Sequence, residues 1–379
     1  MRAVYSIADN IISPLGTTTG ENFQSLQKDK TGIRKFESGA MSPQPFHAAL
    51  FESAANEELY PLGKPGYSLF ERIMIHSVRE ALSQTNIDAT SSRVIFIISS
   101  TKGNIAMIEK GDKYDHNEVS LAHSAKQVAG WFENPNEPVV VSNACISGVL
   151  GVLTAKRLIE ANVYDVAVVT GADVITKFIL SGFQSFQAVS PEPCRPFDAS
   201  RQGVTLGEGA ATMIIATDAF AGDEAIEIMG GATSNDANHI SGPSRDGAPL
   251  FDAIQRSFDE AGVRSDDIGF ISAHGTATIY NDEMEAKAIS LAGMETVPVN
   301  SLKGYYGHTL GAAGLIESVI TLESLRQNFV IPTKGFETLG VSKNINVCGA
   351  GTPKQMKYAL KTASGFGGCN AAMVFGKTS

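Results

Sequence analysis

Cys145 lies where an apolar run, Val139-Val140-Val141, passes through Ser142-Asn143-Ala144 into a helix-like stretch that opens Ile146-Ser147-Gly148. A thiol at a strand-to-helix junction meets the unpaired N–H groups and positive dipole end of the helix, which favour thiolate over thiol. The small neighbours Ala144, Ser147, Gly148 and Gly151 leave room for a strained turn and for an acyl group. An unpaired cysteine in apolar surroundings can equally be inert core, so the other polar residues must decide.

Two histidines follow, each set among glycines and small residues directly after an apolar run. His274 ends Ile268-Gly-Phe-Ile-Ser-Ala-His274-Gly-Thr276-Ala-Thr278, with Asn281, Asp282 and Glu285 just beyond. His308 ends Val297-Pro-Val-Asn-Ser-Leu-Lys303-Gly-Tyr-Tyr-Gly-His308 and leads into a helical stretch with Glu317 near its start. Both sit at a strand exit, where α/β folds gather chemistry. Taken singly, either could be a buried histidine bonded to backbone; a cysteine and two histidines in equivalent settings point to nucleophilic catalysis.

These residues need a large scaffold. Strand-like runs at 94–98, 138–141, 165–170, 211–215, 268–273 and 371–375 alternate with long helical segments, which predicts an α/β architecture. A strand, small-residue turn and long helix around 139–159 recur around 297–325, with Cys145 after the strand in one copy and His308 in the other. That repeat predicts two α/β halves, 1–220 carrying the nucleophile and 221–379 carrying both histidines, their turns meeting at the centre. Polar, Pro-containing insertions at 28–67 and 105–138 lie between the core strands and read, on composition, as surface loops.

Composition narrows the function. With 379 residues, 43% apolar and 18% charged, the chain is globular and can bury a large core. A formal charge of −10 speaks against a nucleic-acid partner. No stretch approaches the ~20 apolar residues of a spanning helix, and the N-terminus lacks a continuous signal-peptide core; a cytoplasmic protein is expected. Four cysteines without a CxxC pair argue against a disulfide framework or a zinc cluster.

The chain resembles the β-ketoacyl-acyl carrier protein synthases of the elongating Cys-His-His type, in the thiolase superfamily. Besides the three segments above, the resemblance rests on Asn10-Ile-Ile-Ser-Pro-Leu-Gly16, on Pro193-Cys-Arg-Pro-Phe-Asp198-Ala-Ser-Arg201-Gln-Gly203 with Gly207-Glu208-Gly-Ala210, and on Ser364-Gly365-Phe366-Gly367-Gly368-Cys-Asn370-Ala. It runs nearly end to end. It implies a thiolase fold of two pseudo-duplicated halves layered α-β-α-β-α, no cofactor, no metal, and acyl carrier protein as partner. A homodimer is implied, with a heterodimer also open, and the insertions at 28–67 and 105–138 would cap the pocket and build the dimer face unless they are plain surface loops.

The resemblance further implies an acyl group carried on Cys145, an oxyanion hole from the N–H groups of Cys145 and Phe366, and a gating swing of Phe366. His274 and His308 would both offer Nε2 donors to a malonyl thioester oxygen, with Lys303 and Glu317 paired to orient His308. Asp282 and Glu285 would organise the His274 loop; Asp198 and Arg201 would form a structural salt bridge or cap, with Glu208 supporting the centre. Pocket residues would be Lys102, Asn143, Ile146, Thr276, Thr278, Gly365 and Gly367. Carrier docking would use a local basic patch drawn from Lys28, Lys30, Arg34, Lys35, Lys64, Arg72 and Lys126.

Some positions depart from the family pattern. Ala277 stands where glycine or serine is common, and Asn143, Ile146 and Ala363-Ser364 would reshape the pocket wall. Lys102, within Ser99-Ser-Thr-Lys-Gly-Asn-Ile105, would shorten or polarise the acyl channel and favour a specialised pathway such as pigment or polyene synthesis. Two other readings share the fold: a thiolase, which takes a second cysteine from a Cys-x-Gly turn that Gly365-Phe-Gly-Gly-Cys-Asn370 lacks, and a non-catalytic chain-length partner, which usually loses the cysteine retained here.

Overall fold

The computed structural model describes residues 2–52, 66–113, 115–238 and 242–378. Its frame is a ten-stranded sheet formed by β1 (Val4–Ile12), β2 (Val94–Ser99), β3 (Val139–Val141), β4 (Val166–Asp173), β5 (Gly209–Thr217), β6 (Ile226–Asn235), β7 (Ile268–Ser272), β8 (Val299–Asn300), β9 (Tyr358–Gly365) and β10 (Cys369–Lys377).

Its spatial order is β8-β7-β9-β10-β6-β1-β5-β4-β2-β3. The first five strands of the chain run 3-2-4-5-1 inward from one edge, and the last five repeat that order from the other. Orientations repeat too. β2 pairs parallel with β3 and β4, as β7 does with β8 and β9. β5 is antiparallel to β4 and β1, as β10 is to β9 and β6. A short antiparallel pairing of Tyr5 with Glu227 and Ser6 with Ile226 joins the two halves.

The helices that frame the sheet and the site are α1 (Leu69–Leu82), α2 (Leu121–Trp131), α3 (Ser147–Glu160), α4 (Lys177–Ser185), α5 (Ala248–Ala261), α6 (Ile279–Leu291) and α7 (Ala313–Gln327), with shorter or peripheral ones such as Thr19–Gln27 besides. α1 covers β1, β4 and β5 and packs on α2; α5 covers β6 and β10 and packs on α6. Between the two halves lie α3 and α7, each touching strands of both. The result is five layers, α-β-α-β-α. α7 is buried almost all round, as a helix between two sheets must be. α1 has a polar outer side and a Ser68–Glu71 capping box at its start. The central helices approach closely: a Cβ on Gly148 would lie 2.4 Å from Leu315 N.

The sequence pattern omits β1, β6 and β9. β1 hides because Ser6, Asp9 and Asn10 are buried within it, Asp9 accepting from Thr19 Oγ1 at 2.8 Å and pairing with Arg326 at 2.8 Å. The insertion at 105–138 is mostly helical, including α2. Part of the other one supplies Arg34–Phe36 and Phe46–Ala49, a small sheet completed by Leu206–Gly207.

Candidate active site

The two-fold repeat brings the loop after β3 against the loop after β8, each feeding a central helix. Ala144 sits at φ 43°, a left-handed conformation that costs a non-glycine residue of order 1 kcal/mol. Ser147 pins that elbow, donating to Ala144 O at 2.6 Å and accepting from Asn143 N at 2.8 Å. Cys145 is thereby held, buried, immediately before Ile146, the N-cap of α3. His308 comes from the opposite loop and places Nε2 3.0 Å from Cys145 Sγ. Its Nδ1 is buried without a hydrogen-bond partner among the described residues.

His274 leaves β7 with its ring 5.3 Å from that of His308, edge to face. Glu285 on α6 fixes this loop by accepting from His274 N at 2.8 Å and Gly275 N at 2.6 Å. Asp282 accepts from Phe197 N and Ala277 N, and Thr278 caps α6. Lys303 Nζ donates to Glu317 Oε1 at 2.6 Å and His274 O at 2.7 Å, and stands 3.3 Å from His274 Nδ1. An ammonium offers only donors, so Nδ1 accepts and the ring proton resides on Nε2.

Lys303 therefore contacts His274, and not His308 as the sequence suggests. The loop of His308 is held instead by backbone, with His308 N donating to Thr205 O at 2.6 Å.

Burial governs the electrostatics. It pushes the Cys145 thiol up to about 12, against the Lys303 charge and the Phe366 N–H, which favour the thiolate. The helix terminus anticipated from the sequence is present, yet desolvation wins, so the resting site holds a thiol. His274 and His308 are both held well below the ordinary imidazole range by burial first and by the Lys303 cation next. Burial also raises Asp173 to about 6, and Asp282 and Glu208 to about 7.

These groups open on a cleft of about 350 Å³ lined by Cys145, His274, His308, Thr276, Thr278 and Gly365, with Phe366, Phe183 and Phe186 forming an apolar wall. Phe366 is 40% exposed and its ring lies 5.8 Å from those of both Phe183 and Phe186. The loop that carries it requires glycine: Gly367 and Gly368 have φ 88° and 78°, and a Cβ on Gly368 would fall 2.0 Å from Asp236 O.

Other sequence expectations change. Lys102 is exposed and does not line the cleft. Ser100 and Thr101 before it are tied to Asp173, so the β2 exit turns away. Ile146 belongs to the central apolar core; Asn143 is exposed, and neither it nor Gly367 lines the cleft. Asp198 caps backbone, accepting from Ser200, Glu337 and Thr338 N–H groups, with Arg195 at 3.5 Å. Arg201 gives its N–H groups to Asp198 O and Gly340 O and lies 3.9 Å from Asp282, so the expected Asp198–Arg201 salt bridge is replaced by these contacts. Glu208 supports the centre through Phe51 N and Ile175 N.

Sequence reading misses Lys361, Asp173, Phe183 and Phe186. A signal existed for Lys361: it is a lysine inside the otherwise apolar and small run Tyr358–Ala363. Phe183 comes from α4 and Phe186 caps its C-terminus, and that helix has no strand-exit signature. As for metals, Cys145, His274 and His308 offer donor atoms within 4.8 Å of one another. The buried Lys303 ammonium beside them disfavours a second cation.

A duplicated five-layer α/β frame, with Cys145 and His308 ahead of its two central helices and His274 at the β7 exit beside them, defines the thiolase fold. Comparison with known proteins goes further. Residues 1–221 match the N-terminal domain of beta-ketoacyl synthase and residues 225–337 its C-terminal domain; the chain belongs to the beta-ketoacyl synthase family. The 3-oxoacyl-[acyl-carrier-protein] synthase 2 of Vibrio cholerae is 29% identical over 99% of both chains. Among solved structures, a beta-ketoacyl synthase from Burkholderia phymatum superposes with a TM-score of 0.89 at 22% identity. A ketosynthase in complex with a type II polyketide acyl-carrier protein does so at 0.87 and 22%. Both superpositions cover all of each chain.

Proposed function

We propose that the chain condenses an acyl thioester carried on Cys145 with malonyl-acyl carrier protein, releasing carbon dioxide and yielding a 3-oxoacyl-acyl carrier protein two carbons longer. The observation that carries this reading is the 3.0 Å contact between Cys145 Sγ and His308 Nε2, beside a second imidazole whose Nδ1 faces Lys303.

In the first half-reaction Cys145 attacks the carrier thioester. His308 Nε2 is in reach of the thiol proton and can pass it to the departing carrier sulfur, so no net proton is gained or lost. The N–H groups of Cys145 and Phe366 take the oxyanion. Malonyl carrier then enters. Loss of its carboxylate as carbon dioxide leaves an electron pair that becomes an enolate, whose oxygen accepts from Nε2–H of His274 and, after the ring proton of His308 has exchanged with solvent from Nδ1 to Nε2, from Nε2–H of His308 as well. The enolate carbon attacks the acyl carbonyl, Cys145 leaves as thiolate, and one proton from solvent restores the thiol.

Neutral imidazoles suit this role, and burial with the Lys303 cation keeps both neutral. The apolar wall of Phe183, Phe186 and Phe366 would receive the acyl chain. Lys102 lies outside the cleft and lends no support to a specialised pathway. No described helix is long and apolar enough to cross a membrane; we place the reaction in the cytoplasm.

Carrier docking cannot use the anticipated patch unchanged. Arg34 pairs with Glu52, Lys35 with Glu37 at 3.0 Å, and Lys126 with Glu137 at 2.9 Å; Lys28 and Lys30 are exposed, Arg72 is half-buried, and Lys64 lies outside the described residues. The reading is tested by mixing enzyme with acyl carrier and then malonyl carrier. A 3-oxoacyl product two carbons longer supports it, and acylation without any condensed product contradicts it.

A further inference from the structure

Two buried carboxylates flank the loop that carries His274, and two buried lysines answer them. Lys361 stands on β9 in register with Ser272, the last residue of β7. Its Nζ, fully buried, donates to Thr362 O at 2.6 Å and Ser272 O at 3.2 Å, and approaches Ala273 O at 3.5 Å. It also lies 2.9 Å from Glu317 Oε2. That last contact is an ion pair off the hydrogen-bonding direction, since Oε2 makes no hydrogen bond. The other carboxylate oxygen of Glu317 holds Lys303.

An ammonium buried inside a strand is costly unless balanced. Lys303 alone balances one carboxylate. Glu285, which grips the opposite side of the loop and also accepts from Thr362 Oγ1, would be left over. With Lys361 the count of Lys303, Lys361, Glu317 and Glu285 is zero; without it the ring of His274 sits in a net negative setting that draws a proton onto Nδ1. Lys303 would then face a donor and lose its seat.

We propose that Lys361 is a positioning residue for the condensation step: with Lys303 it balances Glu317 and Glu285 and ties down the β7 exit, so that His274 remains a neutral imidazole with Nδ1 accepting and Nε2–H offered to the cleft. This rests on the condensation reading above. The remaining titratable neighbours do not substitute for it. His308 and Cys145 are neutral at rest, Asp282 is raised to about 7 by burial with Arg201 beside it, and the buried Cys194 thiol bonds Lys303 O. The direction of the His274 shift agrees, being set by burial first, then Lys303, His308 and Lys361.

The test is Lys361→Met, with Lys361→Gln as the alternative if the first does not fold, and the double variant Lys361→Met/Glu317→Gln, which restores the charge count. Single-turnover acylation and condensation are followed separately against pH, and the His274 ring nitrogens are followed by NMR from about pH 8 to about pH 5. The single variant is expected to acylate Cys145 but to condense about 10–10²-fold more slowly, with the acid limb of condensation moved to higher pH and imidazolium visible at His274. The double variant should move the limb back. Condensation equal to wild type at every pH, or acylation and condensation falling together with no movement of the limb or the ring signals, overturns the proposal. If the wild type shows no acylation, the condensation reading fails, and the NMR titration still decides whether Lys361 keeps His274 neutral.

Discussion

His308 Nε2 stands 3.0 Å from Cys145 Sγ, whereas the other imidazole in the cleft has its inner nitrogen facing Lys303. The two histidines are therefore not interchangeable. On the proposed reaction, His308 would serve both half-reactions and His274 only the second. His274→Ala should still give acyl-Cys145 while condensation drops by ~10²–10³, the usual loss for one donor to a developing oxyanion. His308→Ala should slow both steps. Rapid-quench measurement of each half-reaction separates them; equal losses in both steps for His274→Ala would refute the division of labour.

Because burial pushes the Cys145 thiol up to about 12, the thiolate fraction below that value rises about tenfold for each pH unit. Alkylation of Cys145 by iodoacetamide, read by peptide mass, should climb steadily from about pH 7 to about pH 10 without a plateau. The Lys303 cation favours the thiolate, so Lys303→Met should lower the rate throughout. A plateau near neutrality would show an activated resting thiolate instead.

The fold and the cluster of Cys145, His274 and His308 were legible in the sequence because they reside in local patterns. Val139–Val141 before Cys145 and Ile268–Ser272 before His274 are apolar runs closed by small residues, and such runs mark strand exits without any tertiary knowledge. What stayed hidden is set by packing across the sheet. Lys361 acquires meaning only because β9 lies beside β7 in a register that places it opposite Ser272, a relation between segments some ninety residues apart. Lys303 was legible as a buried cation but not its target, since which loop its chain reaches is decided by the strand order. β1 was obscured by Asp9 and Asn10, polar residues whose partners come from a remote helix and from the turn just beyond the strand.

Glu285 holds the His274 loop through two buried backbone N–H groups. Glu285→Ala leaves both without their acceptor, at ~1–3 kcal/mol each. Urea unfolding should show a loss of about 2–6 kcal/mol, with condensation reduced further than the stability change alone explains. A loss below about 1 kcal/mol would mean that the loop finds other acceptors.

The Phe366 loop tolerates change at one glycine and not at its neighbour. A side chain at Gly367 meets open space and has only its φ of 88° to contend with, costing about 1 kcal/mol. At Gly368 it meets Asp236 O at 2.0 Å, so the loop must shift and carry the Phe366 N–H with it. Gly367→Ala is expected to keep most activity, and Gly368→Ala to lose ~10² or more in acylation, the cost of a missing oxyanion donor. Steady-state rates on purified, folded variants check the contrast, and similar rates for both would remove the Phe366 N–H from the mechanism.

The central claim is that acyl groups travel through Cys145 to a malonyl-derived carbon. Intact-mass analysis of wild type and Cys145→Ala, incubated with acyl carriers or acyl-CoA and then with malonyl carrier, reads this directly. The predicted result is an acyl adduct on wild type that is absent from Cys145→Ala and that discharges, on addition of malonyl carrier, as a 3-oxoacyl product two carbons longer. An adduct of equal size on Cys145→Ala, or a wild-type adduct that malonyl carrier never discharges, would contradict it.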